Sequence, residues 1–449
     1  MRIRLGRSPL VAWKQKLADR RILGAASLAA ADVAGKLAGF LITPYLANRM
    51  GAGEFGLLNL YLPVIQIVTF LISFGGAALL VTEYIRNGYS AARRLRAANL
   101  QLAIWMSVAL LALSACVSLL APSTVPLTLG LLIVAVSFVQ ALNIIELSYY
   151  RGTQTYSVAV AGQCAFVVLS LVATFILFEL KSATAANRLL CLALAGAVVQ
   201  TVYALELRRR SYEPGDRKTK RSNTALILRF GSSIFVHSAS QWVRVSVDRF
   251  VISGFLGTAA VGVYSLAATL AMAENLFFGV VSQQLQPFLY GQLKKMNFAS
   301  FRRVQLSFMA IVVVFTGLYY GFLLVAFDWL FNTEYTDAKT LLPILLGGAA
   351  AQALSTNFLQ SAFYERRATL ISRVTVSALS VHLCGLAILI FTGNVSPANV
   401  ATVFLVSSIV AMLGTAWLSL YLVRQLRSDA LALDGDAQAN GHDASISSD

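Results

Sequence analysis

Charge is what this chain has least of. Asp, Glu, Lys and Arg make up 12% of its 449 residues, about half the usual share of a soluble protein. Without charged side chains to face water, the two or three soluble domains that this length would otherwise allow are excluded. The 57% of hydrophobic residues and the mean hydropathy of +0.71 make lipid the solvent instead. Cysteine is scarce as well: Cys116, Cys164, Cys191 and Cys384 each stand alone in an apolar stretch. That excludes a CxxC motif and offers no disulfide framework. Three histidines, widely scattered, are too few for a metal centre, and no cofactor is expected. No GxSxG, HExxH, P-loop or paired-carboxylate motif lies outside the apolar runs, so an enzyme is not expected either.

What remains is long apolar sequence punctuated by cations. The net charge of +16 is not a nucleic-acid footprint, because the 36 Lys and Arg residues cluster between apolar runs without interleaved aromatics. A spanning helix needs about 20 mostly apolar residues. Twelve segments qualify: 22–47, 57–81, 99–120, 126–149, 158–179, 187–206, 225–253, 262–290, 304–327, 339–363, 374–392 and 398–423. Pro44, Pro63 and Pro287 are expected to kink three of them. With the N-terminus placed in the cytoplasm, 28 Lys and Arg residues fall in inside loops and tails. Four fall outside: Arg49, Lys181, Arg188 and Lys339. One helix more or less in mid-chain would invert every later loop, so the asymmetry predicts twelve spans with both termini inside. Residues 1–21 read as a cytoplasmic interfacial segment, not a cleaved signal, because the apolar run behind them continues to Leu46. Residues 207–224 read as a basic linker between an N-lobe (22–206) and a C-lobe (225–423), and 424–449 as a disordered tail.

The two halves echo each other. Arg49–Leu60 aligns with Phe255–Leu266, with Gly51/Gly257, Gly56/Gly262 and Leu60/Leu266 identical at an offset of 206. Gln140-Ala-Leu is repeated as Gln352-Ala-Leu at the equivalent span of each half. Repeats of six spans keep one orientation. The expected architecture is therefore all-α and integral to the membrane: two six-helix lobes about a pseudo-twofold axis along the membrane normal, with a pathway between them.

Polar residues inside spans are costly and mark function by default. On the seventh span Arg229, Ser233, His237, Gln241, Arg244 and Asp248 recur at steps of three or four, one face of a helix. That stripe is expected to line a cavity or a polar interface, the plainer alternative being an Arg244–Asp248 pair that joins helices. The first span carries Asp32 and Lys36, four apart, as a buried pair or a working site. The second carries Asn59, Gln66 and Ser73 on one face, and the eighth carries Glu274 and Asn275. In the fourth Asn143 and Glu146 lie near Arg151, and in the tenth Gln352, Thr356 and Gln360 share a face; each amide stripe, that of the second span included, reads first as helix glue, and His382 as packing. The candidate substrate-binding set is thus Lys36, Gln66, His237, Gln241, Arg244, Arg249 and Asn275. Asp32, Asp248 and Glu274 are the candidate coupling-ion residues.

Three stretches carry a family resemblance. They are Val247–Gly257 followed by Val261–Ala267, Arg49–Gly56 after the first span, and Glu334–Ala338 leading into Leu341–Leu345. Together with the span plan they resemble the Wzx-type polysaccharide repeat-unit flippases of the multidrug/oligosaccharidyl-lipid/polysaccharide exporter superfamily. The resemblance implies movement of an undecaprenyl-diphosphate-linked oligosaccharide from the cytoplasmic to the periplasmic leaflet by alternating access. It implies membrane lipid as surroundings, and a glycan polymerase and chain-length or export proteins as partners. Its motifs are turn-forming and bring no substrate residues with them. A multidrug extrusion antiporter of the same superfamily is the alternative. A membrane glycan polymerase or ligase fits less well, because the large outside loop of such enzymes is missing, and a lipid II flippase because it usually has two further spans.

Overall fold

The computed structural model describes residues 20–120, 126–208, 217–365 and 367–446, except the side chains of 20–23, 25, 26, 29, 207, 208, 217–222, 233–238, 241, 287, 368 and 429–446. Most of the N-terminal interfacial segment and residues 209–216 of the basic linker therefore lie outside the described residues. Those described are all-helical apart from short connections: α1 (Arg20–Leu41), α2 (Thr43–Ser73), α3 (Gly76–Leu120), α4 (Leu127–Gly152), α5 (Tyr156–Leu180) and α6 (Ala185–Arg208) come first. Then follow α7 (Arg217–Lys294), α8 (Phe298–Leu330), a 3-10 turn at Thr333–Tyr335, α9 (Ala338–Phe358), the single turn α10 (Gln360–Tyr364), α11 (Ala368–Phe391) and α12 (Pro397–Ile446).

Ten of these helices, among the described residues, are long and apolar enough to cross a membrane. Two differences separate that number from the twelve expected. The segments 225–253 and 262–290 lie in one helix, α7, whose Trp242–Lys294 portion is counted once. The segment 22–47 is divided between α1 and the first turns of α2, and α1 is not among the ten. α12 continues helical to Ile446, past the residues whose polar composition predicts no regular structure.

Glycine, not proline, sets the breaks. Pro44 sits in the first turn of α2, where its missing N–H costs nothing. Pro63 lies within α2 without breaking it. The real interruptions are at Gly51 (φ 71°, ψ 168°) in α2, Gly88 (φ 79°, ψ −172°) in α3 and Gly257 (φ 83°, ψ 178°) in α7. A positive φ with an extended ψ is open essentially to glycine alone, so one residue breaks a helix that would otherwise run on. Gly51 and Gly257 are the pair matched in sequence at an offset of 206, and they share this rare conformation. The duplication is thus written in the backbone as well as in the letters.

The described chain divides into two compact units at Val243/Arg244. That boundary lies beyond the 207–224 linker because residues 217–243 of α7 pack into the first unit. Trp242 Nε1 donates to the Pro63 carbonyl at 2.7 Å, and Gly231 lies against Phe74 so closely that a Cβ would overlap it. The first unit is centred on Ile72, Leu80, Leu95, Ile145, Tyr150 and Tyr203, with the Tyr203 ring filling the space above Gly162. Small residues such as Ala103 and Ala141 sit fully buried in the same cluster, the packing that lets apolar helices associate where lipid removes the hydrophobic drive. The second unit packs Phe278, Phe308 and Val312 against Ala353 and Leu354, with a further cluster at Leu289, Leu293 and Phe301. Outside the long helices, Tyr335 is completely buried, and its desolvation together with the Glu334 charge pushes the phenol pKa up.

The Gly257 conformation is directly testable. A Cβ at Gly257 or at Gly254 meets nothing within 4 Å, so the two sites differ only in backbone. Gly257→Ala is expected to cost about 1–3 kcal/mol and to lower the unfolding temperature of the detergent-solubilised protein. Gly254→Ala, in ordinary helix, should leave it unchanged or raise it. Equal behaviour of the two variants would remove the strained-turn account.

Candidate functional site

The Gly257 turn folds α7 back so that the residues before it face those after it. Tyr264 OH donates to Asp248 Oδ2 at 2.7 Å, and Arg249 Nε donates to Ser265 Oγ at 3.2 Å. Both partners lie in the Val247–Ala267 stretch that carried the family resemblance, so the motif is a hydrogen-bonded clasp as well as a turn. The matching positions of the first half are Ile42, Thr43, Leu58 and Asn59; the clasp is built in the second half alone.

Asp248 is 2% exposed and His382 is fully buried. His382 Nε2 lies 2.9 Å from Asp248 Oδ1, and Nδ1 lies 3.2 Å from Ser407 Oγ. Both ring nitrogens thus face an oxygen, Nδ1 that of Ser407 and Nε2 that of Asp248, and Ser407 Oγ also reaches the Phe404 carbonyl at 2.9 Å. The reading of His382 as packing is corrected: a carboxylate inside a span requires a partner, and this histidine on another apolar span meets the need.

The arginines beside the pair are left uncompensated. Arg244 is 8% exposed; its Nη2 donates to Ser408 Oγ at 3.3 Å, and its Nε is buried without a partner. The Arg244–Asp248 ion pair that the i,i+4 spacing offered does not form, because Asp248 is turned to Tyr264 and His382. Arg249 adds a bond from Nη1 to the Val245 carbonyl at 3.0 Å. Among the described residues neither guanidinium has a carboxylate within ion-pair distance. A cavity of about 30 Å³ opens beside Asp248, Arg249, Tyr264, Leu345 and Phe404. It has room for a water or two and is far below the size of a small-molecule pocket, so no sugar is housed there.

The other predicted residues are dispersed. Asp32 and Lys36 pair at 3.5 Å with side chains 38% and 53% exposed, and Gln163 Nε2 donates to Asp32 Oδ1 at 3.2 Å; the pair forms but is not buried within its unit. Gln66 is exposed. Asn275 Nδ2 donates to Gln352 Oε1 at 3.0 Å, and Gln360 Nε2 to Ser282 Oγ at 3.4 Å, so these amides join α7 to α9 and α10. Asn59 and Ser73 bond their own helix, to Phe55 and Phe70 carbonyls. Glu274, 1% exposed, contacts Thr316 at 2.5 Å through Oε1. The side chains of Ser233, His237 and Gln241 lie outside the described residues, and Arg229 is exposed.

Two cations that the sequence places in loops are buried in the structure. Arg96 is 8% exposed and grips Glu146 with Nε and Nη2, its guanidinium also lying 5.2 Å from the Tyr149 ring. An open hollow of about 460 Å³ runs from this pair along Ile104, Phe138 and Leu142. Arg188 is buried on the Ser170 carbonyl and the Thr174 hydroxyl.

Because the two side chains are buried against each other, removing one member strands the other. His382→Leu is expected to cost about 3 kcal/mol of stability. The double variant Asp248→Asn/His382→Leu should lose at least about 1 kcal/mol less than the sum of the two single variants, measured by thermal unfolding. Additive losses would show that the two side chains do not depend on each other.

Comparison with known proteins adds the following. A sequence profile described as polysaccharide biosynthesis protein matches residues 23–294. "Lsg locus putative protein 1" of Haemophilus influenzae is 21% identical over 375 residues, covering 80% of this chain and 89% of its own. Among solved structures, the inward-facing conformation of a multidrug resistance MATE family transporter of the MOP superfamily matches with a TM-score of 0.69 at 14% identity. The match covers 86% of this chain and 95% of that one. A MOP superfamily transporter from Pyrococcus furiosus matches with a TM-score of 0.51 at 13% identity, over 91% and 94% of the two chains. At these identities the structural likeness establishes the fold of a two-lobe membrane transporter and nothing about cargo.

Proposed function

The chain belongs to the polysaccharide biosynthesis protein family, and from that premise we propose that it is a flippase for undecaprenyl-diphosphate-linked oligosaccharide, acting from the cytoplasmic to the periplasmic leaflet for surface polysaccharide assembly. Family and fold are those of membrane transporters, not enzymes. The observation that carries the choice of cargo is the placement of cations on α7. Asp248 is turned to Tyr264 and His382, and Arg244 and Arg249 stand on the same helix with no carboxylate within ion-pair distance among the described residues. A lipid diphosphate brings about two negative charges into a medium that cannot solvate them, and two guanidiniums are the groups best shaped to receive phosphate oxygens.

Each remaining group then has a role. Lys36, partly exposed beside Asp32, is the cation that the first unit offers to the substrate's anionic head. Gln66, exposed on α2, serves the sugar. The prenyl tail stays in lipid throughout. Moving the anion outward across a negative-inside membrane is favourable by roughly 2.3 kcal/mol per charge per 100 mV, so the membrane potential contributes to the drive. Glycan polymerase and chain-length or export proteins are the partners that would consume the product, and the bacterial inner membrane is the setting.

A strain lacking the protein tests this. Lipid-linked oligosaccharide is expected to collect on the cytoplasmic leaflet, and the wild-type chain should release it. Arg244→Ala, Arg249→Ala and Lys36→Ala should each restore less than about a tenth of the surface glycan at equal expression. Full complementation by all three would show that these cations do not hold the diphosphate. If deletion leaves surface glycan intact while overexpression confers drug resistance, the cargo is a multidrug substrate instead.

A further inference from the structure

The hollow beside the Arg96–Glu146 pair is graded along its length. Its wall on α3 is Arg96, Leu100 and Ile104, each four residues from the next; on α4 it is Phe138, Leu142 and Glu146, again four apart. Arg96 meets Glu146 and Ser114 lies against Gly130, so the two helices run antiparallel. One stripe begins with its charge, the other ends with it, and both charges therefore fall at the same end. That end is the one nearer Arg93, Arg94 and Arg151. The apolar end lies about 12 Å deeper, at 1.5 Å per residue. Gln200, Thr201 and Ala204 of α6 form the third side. At about 460 Å³ the hollow has the size of a ligand pocket.

The polar end has hydrogen-bonding capacity to spare. Arg96 Nε donates to Glu146 Oε2 at 2.8 Å and Nη2 donates to Oε1, which uses two of the five guanidinium N–H groups. Each carboxylate oxygen keeps a lone pair. Gln200 Nε2 is buried with no hydrogen-bond partner. Thr201 gives its hydrogen to the Ala197 carbonyl at 2.9 Å, and its oxygen stays an acceptor. Donors and acceptors thus stand side by side, with hydrocarbon beyond them. Acyl chains alone would leave these polar groups unmatched, and a purely anionic head would meet the Glu146 charge. A head that carries both signs complements an Arg–Glu pair: phosphate oxygens take N–H groups of Arg96 and Gln200, and an ammonium donates to Glu146 and Thr201.

We infer that this hollow binds a zwitterionic phospholipid with a primary ammonium head, the head on the Arg96–Glu146 pair and one acyl chain along Leu100, Ile104, Phe138 and Leu142. The order of the walls is the order of the lipid, polar toward the surface and apolar toward the midplane. Glu146 lies six residues before the end of α4 and Gln200 eight before the end of α6. That places them about 9–12 Å from the helix ends, where headgroup gives way to chain. The lipid completes the hydrogen bonding of a buried ion pair and fills the space between α3, α4 and α6. All of these residues belong to the first unit, and the site is independent of the cargo.

Native mass spectrometry of the full-length protein in detergent tests this, with phosphatidylethanolamine and the anionic phosphatidylglycerol titrated as separate probes. The first should bind about tenfold more tightly. Gln200→Leu removes the unpartnered donor and Ile104→Trp fills the apolar end, and neither changes a charge. Each should weaken phosphatidylethanolamine binding about tenfold. Leu113→Trp, at a comparably exposed position of α3 outside the hollow, should leave it unchanged. Equal binding of the two lipids overturns the choice of head. Binding undiminished in either hollow variant marks the adducts as unspecific surrounding lipid and overturns the site. Displacement of phosphatidylethanolamine by equimolar undecaprenyl diphosphate gives the hollow to the cargo and overturns the proposal as well.

Discussion

Because hydrocarbon cannot solvate an ion, every charged group that these long apolar helices carry inward must find its counter-group within the protein. That demand organises the interior. Arg96 is closed on Glu146, Arg188 on a carbonyl and a hydroxyl, and Asp248 on a tyrosine and a histidine. Each settlement joins two or more helices, so neutralising charge and holding the bundle together are one act. Among the described residues Arg188, Arg244 and Arg249 are held by hydroxyls and carbonyls without a carboxylate, and Arg244 alone of the three keeps a buried Nε with no partner.

Buried arginines without a carboxylate suit an anion, but alone they do not distinguish a carrier of lipid-linked sugar from other members of the fold. Joined to the family match over residues 23–294, they favour a cargo with a compact negative group and a polar body.

Much of this was legible before any coordinates. Hydropathy and the cation clusters marked the helices, because spanning length and loop charge are local properties of the letters. The duplication was visible in Gly51 and Gly257, since a backbone that only glycine adopts leaves a glycine behind. Partners distant in sequence were hidden. His382 looked inert because its meaning lies in Asp248, 134 positions away. Arg96 looked like a loop cation because it follows Arg93 and Arg94, and its pairing with Glu146 depends on how α3 meets α4. Proline misled for a related reason: buried in the helix, Pro63 keeps its place, and its carbonyl is claimed by Trp242.

The unusual torsions at Gly51 and Gly257 have a mechanical corollary. Two helices joined through one residue have no slack; they cannot slide apart or exchange register, and can only swing about two bond rotations. Such a joint behaves like a short coupling, leaving each pair of helices only the swings that those two rotations allow. Lengthening it by even one residue would trade that fixed swing for a loose tether.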